Sequence, residues 1–285
     1  MSSGNAVGFV GLGNLGQAMA LRLIERGHRL RVLDSKPERR VPLLDAGATS
    51  TDIPGLAEAS TICFAVPDDA AIRSVLQSGL RERLGSEHTV LVHSTVLPEA
   101  ARQLESIVTE SGASFVEAPV SGGAERARNG DLAVLVGGTS DAVQRVRPLL
   151  DDLAQQIFEL GAVGGASATK LANQLVMFAA LGGIHEALRL VRHHGVEESA
   201  ALSAFACGTA DTWVGRNWGF FDGVARDYNS AGVPVADRPW SKDVWELLAA
   251  ARDADLQLPL AGLLSQTIAH TVESHATGTQ KGMDA

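Results

Sequence analysis

The stretch "AVGFVGLGNLGQAMALRLIERGHRLRVLD", residues 6–34, decides the fold. A short apolar run (6–10) leads into Gly11, Gly13 and Gly16, spaced GxGxxG, and then into residues 14–26, whose apolar positions recur at helical spacing. A second apolar run (29–34) ends in Asp34, 21 residues after Gly13. Strand, glycine turn, helix, strand and acid arrive in the order that dinucleotide binding requires. Gly11 permits a tight turn, Gly13 lets backbone approach a pyrophosphate, and Gly16 lets helix and strand pack closely. Leu12, Asn14 and Leu15 complete the turn, and the helix start offers N–H groups and a positive dipole end to phosphate. Asp34 is placed to accept hydrogen bonds from ribose hydroxyls and to repel a 2′-phosphate, so NAD is expected over NADP. Lys36, Arg39 and Arg40 are the nearby cations that oppose this preference.

Outward from that stretch, apolar runs at 61–66, 89–94, 114–119, 132–138 and 156–160 alternate with helical patterns at 37–46, 68–77, 98–111 and 140–153. This alternation predicts a doubly wound, mostly parallel sheet. "GAVGGASA" (161–168) breaks the pattern, and a long helix follows over about 167–194, ending on Arg192, His193, His194 and Gly195. No charge lies between Leu171 and Ile184, and apolar residues lie all round, so this helix is expected to be buried. Yet Lys170 opens it, and Asn173 and Gln174 follow one turn later. Further helices are expected near 197–207, 240–253 and 259–276, with an irregular stretch at 208–239 and a frayed tail from 278. The domain division falls at 1–162 and 163–285.

Composition narrows the class. With 285 residues, 45% of them hydrophobic, and a net charge of −9, the chain reads as a globular protein without the basic surface that nucleic acid requires. Cys63 and Cys207 build neither a disulfide framework nor a metal-ligand spacing. The start lacks the pattern of a signal peptide. The uncharged run of 14 residues from Leu171 is shorter than the about 20 that span a bilayer, so a cytoplasmic protein with no membrane partner is expected. His193 and His194 are adjacent rather than one turn apart, and no metal is expected. His93 reads as structural. Trp213, Trp218, Tyr228, Trp240 and Trp245 crowd residues 213–245, a concentration equally compatible with pocket, core and subunit interface.

A second signature, "EAPVSGGAERARNGDLAVLVGG" (117–138), begins at a strand end and turns through Ser121, Gly122 and Gly123. A serine hydroxyl beside two glycine N–H groups makes a small nest suited to a carboxylate. Together with "GFVGLGNLGQAMA", "GAVGGASATKLANQ", "WSKDVWELL", "VPD" (66–68) and "HSTVLPEAAR" (93–102), it resembles the β-hydroxyacid dehydrogenase family over nearly the whole chain. The resemblance implies a Rossmann-like doubly wound α/β sheet followed by an all-α C-terminal domain opened by a long interdomain helix. It implies that Lys170 is catalytic, that Ser121, Gly122 and Gly123 bind the substrate carboxylate, and that Val66, Pro67, Thr95 and Lys242 contact the cofactor. It also implies a homodimer or homotetramer through the helical domain, with Trp213, Arg216 and Trp240 as candidates for the pocket.

Three departures stand out: Glu117 replaces the family's Asp, Ala166 replaces a glycine and is expected to restrict its turn slightly, and Gln174 holds the position of the active-site Asn. Asn173 is about 100° round the helix from that position. The expected activity is reversible hydride transfer between NAD and a small anionic β-hydroxyacid or its semialdehyde, with Lys170 as acid and base. An imine reductase of the same architecture, or a dinucleotide-binding sensor without turnover, is the alternative. Lys170 speaks against the first, while Lys170 and the Ser121 loop together speak against the second.

Overall fold

A computed structural model describes residues 6–283, with side chains to residue 278. Among them, nine strands form one sheet: β1 (Val7–Val10), β2 (Leu30–Leu33), β3 (Thr49–Ser50), β4 (Thr61–Phe64), β5 (Thr89–Val92), β6 (Ser114–Glu117), β7 (Val120–Ser121), β8 (Leu132–Gly138) and β9 (Ala154–Glu159). The order β3-β2-β1-β4-β5-β6 is parallel throughout, with Val7 of β1 lying between Leu30 and Thr61. This is the dinucleotide-binding order. Strand β8 then runs antiparallel to β6 and β7, and β9 runs parallel to β8. The expected strand 114–119 is interrupted at Pro119, which has no N–H to donate to a ladder.

The crossovers are α1 (Asn14–Glu25), α2 (Val41–Asp45), α3 (Ile53–Leu56), α4 (Asp69–Val75), α5 (Pro98–Thr109), α6 (Gly123–Asn129) and α7 (Ser140–Leu153). Side chains alternate across each strand, so both faces of the sheet are apolar. Phe9, Cys63, Leu91 and Val116 pack with Met19 and Leu23 of α1 and Val146 and Leu150 of α7. Val10, Ile62, Phe64, Val90 and Val92 pack with Ile72 of α4 and Leu104 and Val108 of α5. Burial pushes the Cys63 thiol far up, so it stays protonated as a core residue.

The chain divides into two compact units between Lys170 and Leu171, inside α8 (Gly165–His193). The second unit continues with α9 (Glu198–Cys207), α10 (Trp213–Arg216), α11 (Phe220–Ser230), α12 (Pro239–Asp253) and α13 (Pro259–Met283). Phe178, Leu181, Ile184 and Leu188 of α8 form its core with Phe221, Trp240, Val244, Leu264 and Ile268.

Several expectations are corrected. Helix α8 is not buried all round: Val176 is 70% exposed and Leu190 63%, because the helices of its own unit cover one face only. By length and composition alone, α8 passes for a membrane span, and 28% of its most apolar window is buried. The stretch 208–239 is not irregular but holds α10 and α11. Thr212 caps α10 by accepting from Gly215 N at 3.1 Å, and left-handed Gly219 precedes α11, so turn residues there mark helix starts. The turn at Ser121 leads into α6. Helix α13 runs to Met283 where fraying is expected from 278; residues 284–285 lie outside the described residues.

Candidate active site

The residues singled out in the first unit gather along one edge of the sheet. Gly11–Gly16 follow β1, Asp34 follows β2, Val66 and Pro67 follow β4, Thr95 follows β5, and Ser121 ends β7, the short strand that follows β6. These strands are neighbours in the order β2-β1-β4-β5-β6, so residues scattered over 110 positions share the carboxyl edge, where ligands of such sheets bind.

The glycine turn fits a dinucleotide pyrophosphate. Gly11 has φ +91°, and a Cβ there would strike the Ala65 carbonyl; a Cβ on Gly16 would strike the carbonyl of Gly11. A Cβ on Gly13 would meet nothing within 4 Å, which leaves open space in front of the turn. Gly13 is the N-cap of α1, no side chain caps that helix among the described residues, and no acid lies in its first turn. The first-turn N–H groups are therefore available to an anion.

Asp34 is buried. Its Oδ2 accepts from Leu12 N at 2.6 Å and its Oδ1 from Lys36 N at 2.8 Å. Leu12 thus serves the site through loop shape, its N–H being committed to Asp34. Each carboxylate oxygen keeps a further lone pair for a ribose hydroxyl. Arg39 stands 3.8 Å from Oδ2, and Arg40 Nε donates to the Asp34 carbonyl at 3.1 Å. Asn14 is exposed and Leu15 half-buried, while Val66 N donates to Ser94 Oγ at 3.0 Å.

His93 directly follows β5, two residues before Thr95. Its Nδ1 donates to the Ala118 carbonyl at 2.9 Å, it stacks on Phe9, and its Nε2 meets no hydrogen-bond partner among the described residues. Burial pulls its pKa from 6.5 to about 4, against the smaller raising effect of the Ala118 bond. The imidazole is neutral. Gly122 (φ +139°) and Gly123 (φ +75°) turn the chain sharply beyond Ser121, a path that side chains rarely follow.

Lys170 lies one turn into α8 and is 8% exposed. The turn before it is held by Glu117, whose Oε1 accepts from Gly164 N at 2.6 Å and Ala166 N at 2.9 Å. Its Oε2 accepts from Ser167 N at 3.2 Å and from the Ser167 hydroxyl. Ala166 does not restrict this turn, since it sits inside the helix, and Asp255 is the positive-φ residue other than glycine among those described. Alanine suits that position better than glycine. In the sequence Glu117 stands out only as a departure from the family pattern, and its one further signal is an acid at a strand end ahead of a glycine-rich helix start.

In the second unit, Gln174 is buried and its Nε2 donates to Asp243 Oδ2 at 2.6 Å, while Asn173 Nδ2 donates to Gln174 Oε1 at 3.2 Å. Lys242 Nζ lies 3.2 Å from Asp243 Oδ1 and 2.9 Å from Glu246 Oε1. Burial draws the Lys242 pKa down, but Asp243 and Glu246 together outweigh it and raise it above the ordinary lysine value. Lys242 is a fixed cation. Asp243 and Glu246 carry no motif of their own in the sequence, although Asp243 is adjacent to Lys242.

The aromatic segment divides: Trp240 is core, Trp218 and Tyr228 are half-buried against it, and Trp213 and Trp245 are exposed. Trp240 is fully buried and donates to Glu273 Oε1 at 2.9 Å, and Trp218 donates to Glu198 Oε1 at 2.7 Å. Arg216 pairs with Asp211 at 2.9 Å. Trp240 is thereby corrected from a pocket candidate to a packing residue; Trp213 lies edge-on to Phe220 and stays partly exposed.

Comparison with known proteins bears on family and fold. Residues 6–161 match the NAD-binding domain of 6-phosphogluconate dehydrogenase, and residues 164–284 match the family described as the NAD-binding domain of NADP-dependent 3-hydroxyisobutyrate dehydrogenase. The chain is 28% identical to 3-hydroxyisobutyrate dehydrogenase of Pseudomonas aeruginosa, over 98% of this chain and 95% of that protein. It is 32% identical to 2-hydroxy-3-oxopropionate reductase of Escherichia coli, over 73% and 72% respectively. A solved structure of Mycobacterium tuberculosis 3-hydroxyisobutyrate dehydrogenase with L-serine covers 95% of both chains with a TM-score of 0.80 at 23% identity, a likeness of fold.

Proposed function

The chain belongs to the β-hydroxyacid dehydrogenase family, and from that premise we propose that it interconverts a small β-hydroxyacid and its semialdehyde with Lys170 as acid and base. The observation that carries this reading is Lys170 itself, a buried lysine one turn into a helix whose start is held in place by four hydrogen bonds. When bound, the nicotinamide cofactor supplies the hydride chemistry. The turn Gly11–Gly16 and the N-terminus of α1 hold its pyrophosphate, and Asp34 holds its ribose. Val66, Pro67 and Thr95 line the path along the strand ends, and the resemblance to the family implies Lys242 as a further cofactor contact. Ser121 and the N–H groups of Gly122 and Gly123 bind the substrate carboxylate and so orient the hydroxyl. Lys170 takes the hydroxyl proton on oxidation and returns it to the carbonyl oxygen on reduction. Gln174, with the same amide donors and acceptor as Asn, assists at the hydroxyl.

We read NAD as the preferred cofactor, on the strength of Asp34; Arg39, beside that carboxylate, is the group that would favour NADP. A spectrophotometric screen of small hydroxyacids and semialdehydes with both cofactors tests the whole reading. Turnover on a β-hydroxyacid, with higher kcat/KM for NAD, is expected. Cofactor binding without turnover across the panel would make the protein a sensor instead.

The exposed apolar face of α8 carries Val176 and Leu190, about four turns apart, and Leu263 of α13 is also exposed. We read these as the seat of a second copy, in a cytoplasmic homodimer or larger homo-oligomer; a molar mass at least twice that of the chain by light scattering checks this.

A further inference from the structure

Glu117 is 1% exposed, and the donors on its carboxylate come from the turn that begins α8. Gly137 of β8 has no side chain at the point where a Cβ would strike Glu117 Oε1, so the strand beside it makes room for this carboxylate. Gly164, with φ +103°, turns its N–H onto the same oxygen as Ala166. These are first-turn N–H groups that no intrahelical carbonyl can satisfy, and a negative charge there also suits the helix dipole. Lys170 is four residues beyond Ala166, and helical side chains lean toward the N-terminus, so its stem runs back over the turn that Glu117 holds. The chain leaves Glu117 through Ala118 and Pro119 and reaches Ser121 four residues later.

The geometry points to Glu117 as a positioning residue for Lys170, a buried carboxylate that locks the lysine's helical turn to the strand leading into the substrate loop. This rests on the reading of Lys170 as the proton-transfer group. The carboxylate touches neither reacting atom; it sets where the ammonium stands relative to Ser121. Proton transfer is sensitive to such placement, and misplacement by an ångström costs on the order of a hundredfold.

The test compares Glu117→Gln, Glu117→Asp and Ser167→Ala, each alone and combined with Lys170→Met. Glutamine keeps the volume and one acceptor but turns an NH2 toward the Ser167 donors. Glu117→Gln is expected to lower kcat by about 10- to 100-fold, with the dissociation constant for NADH changed less than about twofold. Glu117→Asp retains the charge and recovers most of the loss. In the Lys170→Met background the Glu117 change adds no further loss, because it acts through the lysine. Ser167→Ala removes only the hydroxyl donor and lowers kcat by a smaller factor of about three; it carries the test alone if Glu117→Gln does not fold.

An unchanged kcat with a lowered Tm would reduce Glu117 to a helix anchor and overturn the proposal. So would an equal loss in the Lys170→Met background. If Lys170→Met itself turns over like the wild type, the lysine reading fails and the positioning role falls with it. That outcome differs from the others, because it appears without any change at Glu117.

Discussion

At the scale of single residues, the proposed chemistry rests on Lys170 and Gln174. Lys170→Met keeps apolar bulk and helix propensity but removes the proposed proton-transfer group. A loss of about 10²- to 10⁴-fold in kcat is expected, with NAD affinity little changed, as measured by steady-state kinetics and cofactor titration. Gln174 donates to Asp243 at 2.6 Å, a reach that depends on its second methylene. Asparagine stops about 1.5 Å short, so Gln174→Asn leaves Asp243 with Lys242 but without its amide partner. Gln174→Ala is expected to lower kcat at least about tenfold, and Gln174→Asn less, with a shift in substrate preference across the hydroxyacid panel. A wild-type kcat for Gln174→Ala on the best substrate would leave Gln174 as a core amide only.

At the scale of elements, the amino end of α1 and the start of α8 solve the same problem in opposite ways. Both present N–H groups without intrahelical partners. At α8, Glu117 satisfies them from within the protein; at α1, no side chain does so, and the space in front of Gly13 is open. One helix start is finished, and the other is left for an anion. Gly13 has φ −65°, a conformation any residue adopts, so Gly13→Val costs the fold little at that turn. Its branched side chain fills the approach to the N–H groups instead. The expected outcome is a Tm within about 2 °C of wild type and a cofactor affinity lowered at least about tenfold, read by calorimetry and NADH titration. A normal affinity would remove this turn from the cofactor site.

At the scale of the whole molecule, His93, just beyond β5, ties the stability of the sheet to pH. Its folded pKa of about 4 lies below the ordinary 6.5, so at intermediate pH the unfolded chain binds a proton that the folded chain does not. Stability is therefore intact above 6.5 and is lost as pH falls toward about 4. Between about pH 7.5 and pH 5 this amounts to about 2 kcal/mol, read from denaturant unfolding at the two pH values. An asparagine side chain does not titrate in this range: the His93→Asn variant, whose amide can still donate to the Ala118 carbonyl, is expected to lose this slope. His275 works in the other sense. The Asp222 carboxylate, hydrogen-bonded to its ring at 2.8 Å, raises its pKa, so its contribution is present below 6.5 and fades as pH rises through the raised value.

What the sequence determined by itself is local and periodic. The alternation of strand and helix up to Leu160, the tight turn at Gly11, the close packing at Gly16 and the acid at the end of β2 follow from spacing and backbone sterics, which need no distant partner. The placement of Lys170 at the mouth of a long helix was legible for the same reason. Only the tertiary structure decided which polar groups meet. Glu117 reaches Gly164, Ala166 and Ser167 because β6 ends beside the start of α8, a closure across 47 to 50 positions that no spacing encodes. Asp243 meets Gln174 across 69 positions in the same way. The exposed stripe of α8, the helices at 213–230 and the burial of Trp240 were likewise settled by packing: an apolar side chain reads the same in a sequence whether a neighbour covers it or not, and only the arrangement of the other helices determines which face is covered.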